Sequence, residues 1–203
     1  MVTTWCFFDS WIPKVGRQEL LAVIRAAREQ LLAILIGAAS IKTREVLTDG
    51  LHIDSTLAKP IDVQEARDLL DSCIQARLPQ RILIVDDSST VRSVSSKLLQ
   101  ASRFKLQPEE AGDGAAAIVL ARKQRFDIVF LDYQMPGIGG FGALAEFRRL
   151  HPDMNVVMIT GTRDARIEDR ARAEGARDFL YKPFFAKDID AVLNRLFCLA
   201  RPK

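Results

Sequence analysis

Residues 126–136 read Phe-Asp-Ile-Val-Phe-Leu-Asp-Tyr-Gln-Met-Pro, and this stretch decides the fold. The run from Ile128 to Leu131 has no polar alternation, which predicts a strand that is buried on both faces, as in a parallel sheet. The strand ends in the carboxylate of Asp132. Open α/β sheets bind their ligands at the carboxyl ends of the strands, so Asp132 is the first candidate site residue.

Four more short apolar runs alternate with helical patterns in the rest of residues 80–203. We predict the other strands at 81–85, at 156–159, at 178–181 and from 104 onward. We predict helices at 88–101, 115–124, 141–150, 164–174 and 187–199. Five strands that alternate with five helices indicate an α/β fold with a doubly wound parallel sheet.

Polar side chains follow four of the five predicted strands. They are Asp86 and Asp87, then Asp132, Thr160 and Lys182. Because the strands are parallel, all five residues should lie at one edge of the sheet. Three crowded carboxylates repel one another and need a cation, and oxygen ligands of this kind suit Mg²⁺. A metal with a lysine and a hydroxyl opposite can assist the transfer of a phosphoryl group to a carboxylate.

These motifs resemble the receiver domain of two-component response regulators. The matching segments are 82–87, 131–137, 159–161 and 181–184, and the resemblance covers residues 80–200. It implies a flavodoxin-like fold with strand order 2-1-3-4-5. It also implies that Asp132 accepts a phosphoryl group from a sensor histidine kinase or a histidine phosphotransfer protein. By the same match, Asp86, Asp87, Asp132 and the backbone carbonyl of Gln134 bind Mg²⁺.

The resemblance also assigns a conformational switch. Lys182 would pair with the phosphoryl group and Thr160 would bond to it, which shifts the fourth helix and the fifth strand of the domain. Phe179 matches the aromatic residue that changes rotamer in this switch. Gly161 departs from the family, which usually has alanine there, and should widen the space beside the phosphoryl group.

The first half of the chain repeats part of the second half. A shift of 123 residues places Asp9 on Asp132 and Lys59 on Lys182, and the aspartate and the lysine are 50 residues apart in both halves. Internal repeats are a strong guide to architecture. We therefore interpret residues 1–79 as a truncated receiver-like half-domain with a β-α-β-α-β-α order, followed by a complete receiver in residues 80–203. We expect its strands at 3–8, 32–36 and 53–57, and its helices at 18–29, 42–47 and 63–76.

This half-domain predicts an interface. It lacks counterparts of Asp86 and Asp87, so we interpret Asp9 as a structural residue rather than a phosphoacceptor. Its first strand, with Trp5, Phe7 and Phe8, would be an exposed apolar edge, which is an aggregation hazard. We expect a two-fold homodimer through residues 1–79. Docking on the chain's own receiver and completion by another protein remain as alternatives.

The predicted function is that of a bacterial response regulator without an output domain, because the sequence ends at Lys203, just after the last predicted helix. Such a protein is a phosphoacceptor rather than an enzyme and signals through protein contacts. One alternative is a Mg²⁺-dependent phosphatase or phosphotransferase of similar topology. These enzymes usually place a general acid two residues after the nucleophile, where Gln134 stands here. A scaffold that is not phosphorylated is the other alternative.

Composition excludes several other classes of function. The net charge is only +3, and neither half has the basic block of a nucleic-acid-binding protein. The longest apolar run, residues 31–39, is too short to span a bilayer, and the N-terminus does not resemble a signal peptide. The three cysteines have no metal-ligand spacing. We therefore expect a cytoplasmic protein.

Overall fold

The computed structural model of the protein describes residues 4–9, 13–27, 31–37, 55–59, 62–76, 78–102 and 104–197. The chain divides into two compact units, one formed mainly by residues 1–77 and the other by residues Leu78–Leu196. Among the described helices, none is both long and apolar enough to cross a membrane.

The first unit contains a parallel three-stranded sheet in the order β1-β2-β3. Its elements are β1 (Thr4–Asp9), α1 (Lys14–Ala27), β2 (Leu31–Gly37), β3 (Ser55–Ala58) and α2 (Val63–Gln75). Helix α1 begins at Lys14, four residues earlier than predicted and directly after Pro13. Proline is compatible with this place, because the first residues of a helix need no backbone N–H donor. The predicted helix at 42–47 lies outside the described residues.

The second unit alternates five strands and five helices, as predicted. Its elements are β4 (Gln80–Val85), α3 (Ser89–Gln100), β5 (Leu106–Ala111), α4 (Gly114–Lys123), β6 (Ile128–Asp132), α5 (Gly139–Leu150), β7 (Asn155–Thr160), α6 (Ala165–Ala173), β8 (Asp178–Tyr181) and α7 (Ala186–Leu196). The sheet has the order β5-β4-β6-β7-β8, and every pair of strands is parallel. The α/β prediction is therefore confirmed. Strand β5 begins at Leu106, so the predicted start at 104 was two residues early.

Local signals position the elements of this second unit. The hydroxyl of Ser88 caps α3 by accepting a hydrogen bond from the Val91 amide at 3.4 Å, and Asp113 caps α4 in the same way at 2.7 Å. Gly175, with φ at +101°, follows the end of α6. All five residues of β6 are buried, as the uninterrupted apolar run predicts.

The two sheets share one register. Thr4 pairs with Leu31 in the first unit, and Ile128 pairs with Asn155 in the second, so both pairs are 27 residues apart. The next pairs in each sheet also agree, because Ile34 with Ser55 and Val157 with Asp178 are both separated by 21 residues. The 123-residue shift found in the sequence therefore relates the strand pairing of β1-β2-β3 to that of β6-β7-β8.

Gly140 fixes the turn that follows β6. A Cβ atom at this position would lie 2.6 Å from the carbonyl oxygen of Asp132 and 2.9 Å from the Cα of Tyr133. The start of α5 can therefore approach the end of β6 only because residue 140 has no side chain.

We predict that Gly140→Ala destabilises the second unit by about 1–3 kcal/mol, because backbone atoms must move to admit the methyl group. Urea unfolding followed by circular dichroism measures the change. Gly161→Ala is the control, since nothing lies within 4 Å of a Cβ built there. Equal losses of stability in the two variants would contradict the assignment.

Candidate functional site

The carboxyl ends of β4, β6, β7 and β8 meet at one edge of the second sheet. Asp86, which follows β4, is 1% exposed, and Asp132, the last residue of β6, is 5% exposed. Thr160 is buried at the end of β7, while Asp87 is exposed. Parallel pairing aligns these ends, and the amide of Lys182 donates a hydrogen bond to the carbonyl oxygen of Thr160 at 2.8 Å. The structure thus brings the five residues that were singled out in the sequence to one edge.

Lys182 lies between the two buried carboxylates. Its Nζ atom is 2.8 Å from Oδ2 of Asp86 and 3.1 Å from Oδ2 of Asp132. The other oxygen of Asp86, Oδ1, accepts a hydrogen bond from the Ser88 amide at 2.9 Å. Both oxygens of Asp86 are therefore held, and one ammonium group contacts both of the aspartates that follow buried strands.

The same edge fits a divalent metal ion. Asp86, Asp87 and Asp132 each offer a carboxylate oxygen, and these oxygens lie within 4.8 Å of one another. Three carboxylates and one lysine carry a formal charge of −2, which a divalent cation would balance. Hard oxygen donors of this kind suit Mg²⁺. In the part of the chain that the structure describes, this is the one such group of acidic, histidine or cysteine residues.

The electrostatics of the site shift two pKa values. Burial raises the pKa of Asp132, and the charge of Asp86 raises it further, although the hydrogen bond and charge of Lys182 and a hydrogen bond from the Gln134 backbone oppose this. For Lys182, burial lowers the pKa, but the hydrogen bonds and charges of Asp86 and Asp132 outweigh burial and raise it overall. Lys182 therefore stays protonated at neutral pH, while Asp132 holds a proton more tightly than an ordinary aspartate.

The hydroxyl of Thr160 is already hydrogen-bonded within its own loop. Its Oγ1 atom donates to the carbonyl oxygen of Thr162 at 3.1 Å and accepts from the Thr162 amide at 3.2 Å. Phe179 is buried in the core, with the guanidinium carbon of Arg172 at 4.9 Å from its ring centroid. The predicted roles of Thr160 and Phe179 in a switch, and of the Gln134 carbonyl as a metal ligand, stay predictions.

Sequence reasoning missed Arg92, which donates hydrogen bonds to the backbone of Asp86 and Asp87. Its Nη1 atom donates to the carbonyl oxygen of Asp86 at 2.7 Å and lies 3.3 Å from that of Asp87. Its Nε atom is 3.3 Å from a carboxylate oxygen of Glu110. The bonds to Asp86 and Asp87 are to backbone atoms, so no side-chain motif marks this residue. Its one signal in the sequence is a position four residues after the Ser88 cap.

The arginines around α6 are exposed, as mixed charges on a helix indicate, and three of them also lie against aromatic rings. The guanidinium carbons of Arg170, Arg163 and Arg172 lie 3.9, 4.3 and 4.9 Å from the ring centroids of three aromatic residues. The rings are those of Phe141, Tyr181 and Phe179 respectively. Helix α6, of which only Ala171 is buried, therefore rests on the sheet and α5 partly through cation–π contacts.

The first unit contains a smaller version of this arrangement. Lys59 Nζ lies 2.5 Å from Oδ2 of Asp9, and the Lys59 amide donates to the carbonyl oxygen of Gly37 at 2.9 Å. These contacts correspond to those of Lys182 with Asp132 and Thr160. Both partners are about 40% exposed, and an ion pair of that kind stabilises by only about 0–1 kcal/mol. Among the described residues, no acidic cluster adjoins Asp9.

Known proteins resemble the part of the chain that contains this site. A family model described as the response regulator receiver domain matches residues 82–194, more than half of the chain. The probable transcriptional regulatory protein TcrX of Mycobacterium tuberculosis is 35% identical over 61% of this chain and 50% of TcrX, so the chain spans about half of that relative.

Two solved structures share the fold. The receiver domain of the sensor histidine kinase PA1611 from Pseudomonas aeruginosa, with magnesium coordinated in its active-site cleft, matches 60% of this chain and 99% of its own, with 24% identity and a TM-score of 0.53. A probable two-component system response regulator/GGDEF domain protein matches 98% of this chain and 99% of its own, with 18% identity and a TM-score of 0.58. Both likenesses concern the fold alone.

We predict that Asp86→Asn and Asp87→Asn each weaken Mg²⁺ binding by at least about tenfold, because each removes a charged oxygen ligand. Isothermal titration of the protein with magnesium chloride measures the affinity. Asp153→Asn, an exposed aspartate away from the site, is the control. Undiminished binding in both site variants would show that the ion is held elsewhere.

The raised pKa of Asp132 predicts a pH-dependent difference in stability. A carboxyl whose pKa is higher in the folded state stabilises the fold when protonated, and this contribution is lost as the pH rises through the folded-state pKa. Without metal, Asp132→Asn should therefore be more stable than the wild type at pH 7, and the difference should shrink as the pH falls. Urea unfolding in the presence of a chelator measures both values. A difference that grows on acidification would contradict the sign of the shift.

Proposed function

The chain belongs to the response regulator receiver family, and we propose that it accepts a phosphoryl group on Asp132 in a Mg²⁺-dependent reaction. The observation that supports this most strongly is the position of Lys182, whose ammonium group contacts Asp86 and Asp132 at the edge of the sheet. The donor would be a sensor histidine kinase or a histidine phosphotransfer protein, in line with the general behaviour of receiver domains.

The proposed reaction is a nucleophilic substitution at phosphorus. A carboxylate oxygen of Asp132 forms the new P–O bond while the P–N bond to the donor histidine breaks, and the electron pair of that bond stays on the imidazole nitrogen. Lys182 neutralises charge on the transferred oxygens, which requires little movement because its ammonium group already contacts Asp132. The Thr160 hydroxyl exchanges its bond to the Thr162 carbonyl for one to the phosphoryl group.

The metal belongs to the same proposal. Asp86, Asp87, Asp132 and the backbone carbonyl of Gln134 would hold Mg²⁺, which would supply positive charge to the phosphoryl oxygens during transfer. The donor chemistry and the −2 formal charge of the cluster support this choice. The magnesium ion named for the PA1611 receiver domain is consistent with it.

A phosphoacceptor role fits the site better than a phosphatase does. A phosphatase of this topology would need a general acid two residues after the nucleophile, and the chain has the neutral amide of Gln134 there. We propose that the protein is not an enzyme toward other substrates. Its signal would pass through protein contacts on the face formed by α6, β8 and α7, in the cytoplasm.

We also propose a role for the first unit. The common register of the two sheets and the Asp9–Lys59 pair support its interpretation as a receiver-like half-domain. The whole-chain likeness to a solved structure is consistent with this architecture. In this proposal, two copies of the chain form a homodimer through residues 1–79, and Asp9 is not phosphorylated.

We predict that radiolabelled acetyl phosphate labels the wild type in the presence of Mg²⁺, and that Asp132→Asn abolishes the label because it removes the nucleophile. Asp9→Asn is the matched control and should be labelled like the wild type, since no acidic cluster adjoins Asp9 among the described residues. A chelator should prevent labelling of both the wild type and the Asp9→Asn variant. Retained label on Asp132→Asn would defeat the proposal.

A further inference from the structure

Helix α2 of the first unit carries more apolar surface than its own sheet covers. Leu69 and Cys73 are buried, which marks the face that lies on the sheet. Val63, Leu70 and Ile74 are apolar but 75%, 41% and 48% exposed. We call these three residues the α2 seam. At about 100° per residue they fall within an arc of about 40°, directly beside the buried face.

The second unit indicates what the α2 seam lacks. The 123-residue shift places Leu70 on Leu193 of α7, which is fully buried. Helix α3 packs against α7, and the Ser102 hydroxyl just after α3 donates to the Asp190 carboxylate at 2.5 Å. In the described part of the first unit there is no helix in the place of α3. The seam is therefore the surface on which a further helix would sit.

Strand β1 of the first unit shows the same pattern of exposure. Phe7 of β1 is 47% exposed, whereas its counterpart Phe130 of β6 is 2% exposed. Strand β6 pairs with β4 on one side and β7 on the other, while β1 pairs only with β2 in the described residues. The positions that are exposed in the first unit are thus positions that neighbouring elements bury in the second.

A second copy of the chain can supply the missing helix. The seam residues are spaced i, i+7 and i+11, the spacing of a helix that packs along another helix. In an antiparallel two-fold pairing, Val63 lies opposite Ile74 of the partner subunit, and Leu70 lies near the centre. The α2 seam of each copy is then covered by the α2 seam of the other.

The charges beside the seam are complementary in this pairing. Arg67 and Asp71 are both exposed, and neither forms an ion pair with another described residue. The antiparallel arrangement brings Arg67 to within about one residue, roughly 1.5 Å of rise, of the level of Asp71 of the partner subunit. Because the contact is two-fold, this opposite-charge pair occurs twice.

We propose that the α2 seam is the contact through which two copies of this chain associate, with the two α2 helices antiparallel and Arg67 opposite Asp71 of the partner subunit. The inference rests on the proposed homodimer and gives it a defined surface. The seam belongs to the first unit and Asp132 to the second, so phosphorylation serves as an independent check that the second unit of each variant is intact.

Analytical ultracentrifugation of the full chain at tens of micromolar tests the seam. The wild type should sediment as a dimer of the 22.7 kDa chain. The double variant Leu70→Asp, Ile74→Asp should sediment as a monomer and still accept the label on Asp132. Val119→Asp is the matched control, because Val119 is also helical and 49% exposed but lies in the second unit. It should remain a dimer.

A charge exchange between copies tests the antiparallel pairing without altering an apolar residue. Arg67→Glu alone and Asp71→Arg alone should each weaken the dimer by about tenfold, because each homodimer places like charges opposite one another. An equal mixture of the two variants should form a dimer again, since both contacts in the mixed dimer unite opposite charges. A pairing between residues 67 and 71 within one helix could not be restored by mixing.

Three results would overturn the inference. A monomeric wild type would remove both the seam contact and the proposed homodimer, while leaving phosphorylation of Asp132 untouched. A dimeric Leu70→Asp, Ile74→Asp variant would place the dimer contact elsewhere. Failure of the mixed charge variants to recover would exclude the antiparallel pairing.

Discussion

The repulsion among three carboxylates at one edge of a parallel sheet is the constraint on which the site depends. Asp86 and Asp132 are buried, and one ammonium group, that of Lys182, contacts both. Two unpaired negative charges at such depth would be costly. The lysine offsets part of that cost. With Asp87 included, the three carboxylates and the lysine still carry a formal charge of −2, which favours a divalent cation. The strand order makes this crowding unavoidable, because β6 lies between β4 and β7 and all their carboxyl ends share one edge.

The first unit shows what the same frame does without the acidic pair. Its strands have the register of β6-β7-β8, and its aspartate and lysine still meet. The Asp9–Lys59 ion pair is much more exposed than the Lys182–Asp132 pair. The comparison separates two consequences of one motif. The strand-end aspartate and lysine suffice to form an ion pair across the edge of the sheet, whereas a metal site needs the further carboxylates that follow β4.

Much of the candidate site could be predicted from the sequence because parallel strands carry simple rules. Apolar runs mark the strands, the residue after each run lies at the ligand-binding edge, and Asp132 and Lys182 therefore had to be neighbours. The contacts of Arg92 could not be predicted in this way, because two of them are to backbone carbonyls whose positions depend on the folded turn. The cation–π contacts of Arg163, Arg170 and Arg172 could not be predicted either, because the rings belong to other segments of the chain. The exposed α2 seam could not be read from the sequence either, since its pattern is that of a helix with a wide buried face.

The central claim is that Asp132 is the residue that becomes phosphorylated, and chemical trapping tests it most directly. Borohydride reduces an aspartyl phosphate to homoserine, which leaves a permanent mark at the modified position. After treatment of the wild-type protein with acetyl phosphate and Mg²⁺, followed by borohydride and peptide mass spectrometry, we expect homoserine at position 132 and an unmodified aspartate at position 9. Homoserine at position 9, or its absence from position 132 in a protein that carries the label, would contradict the account.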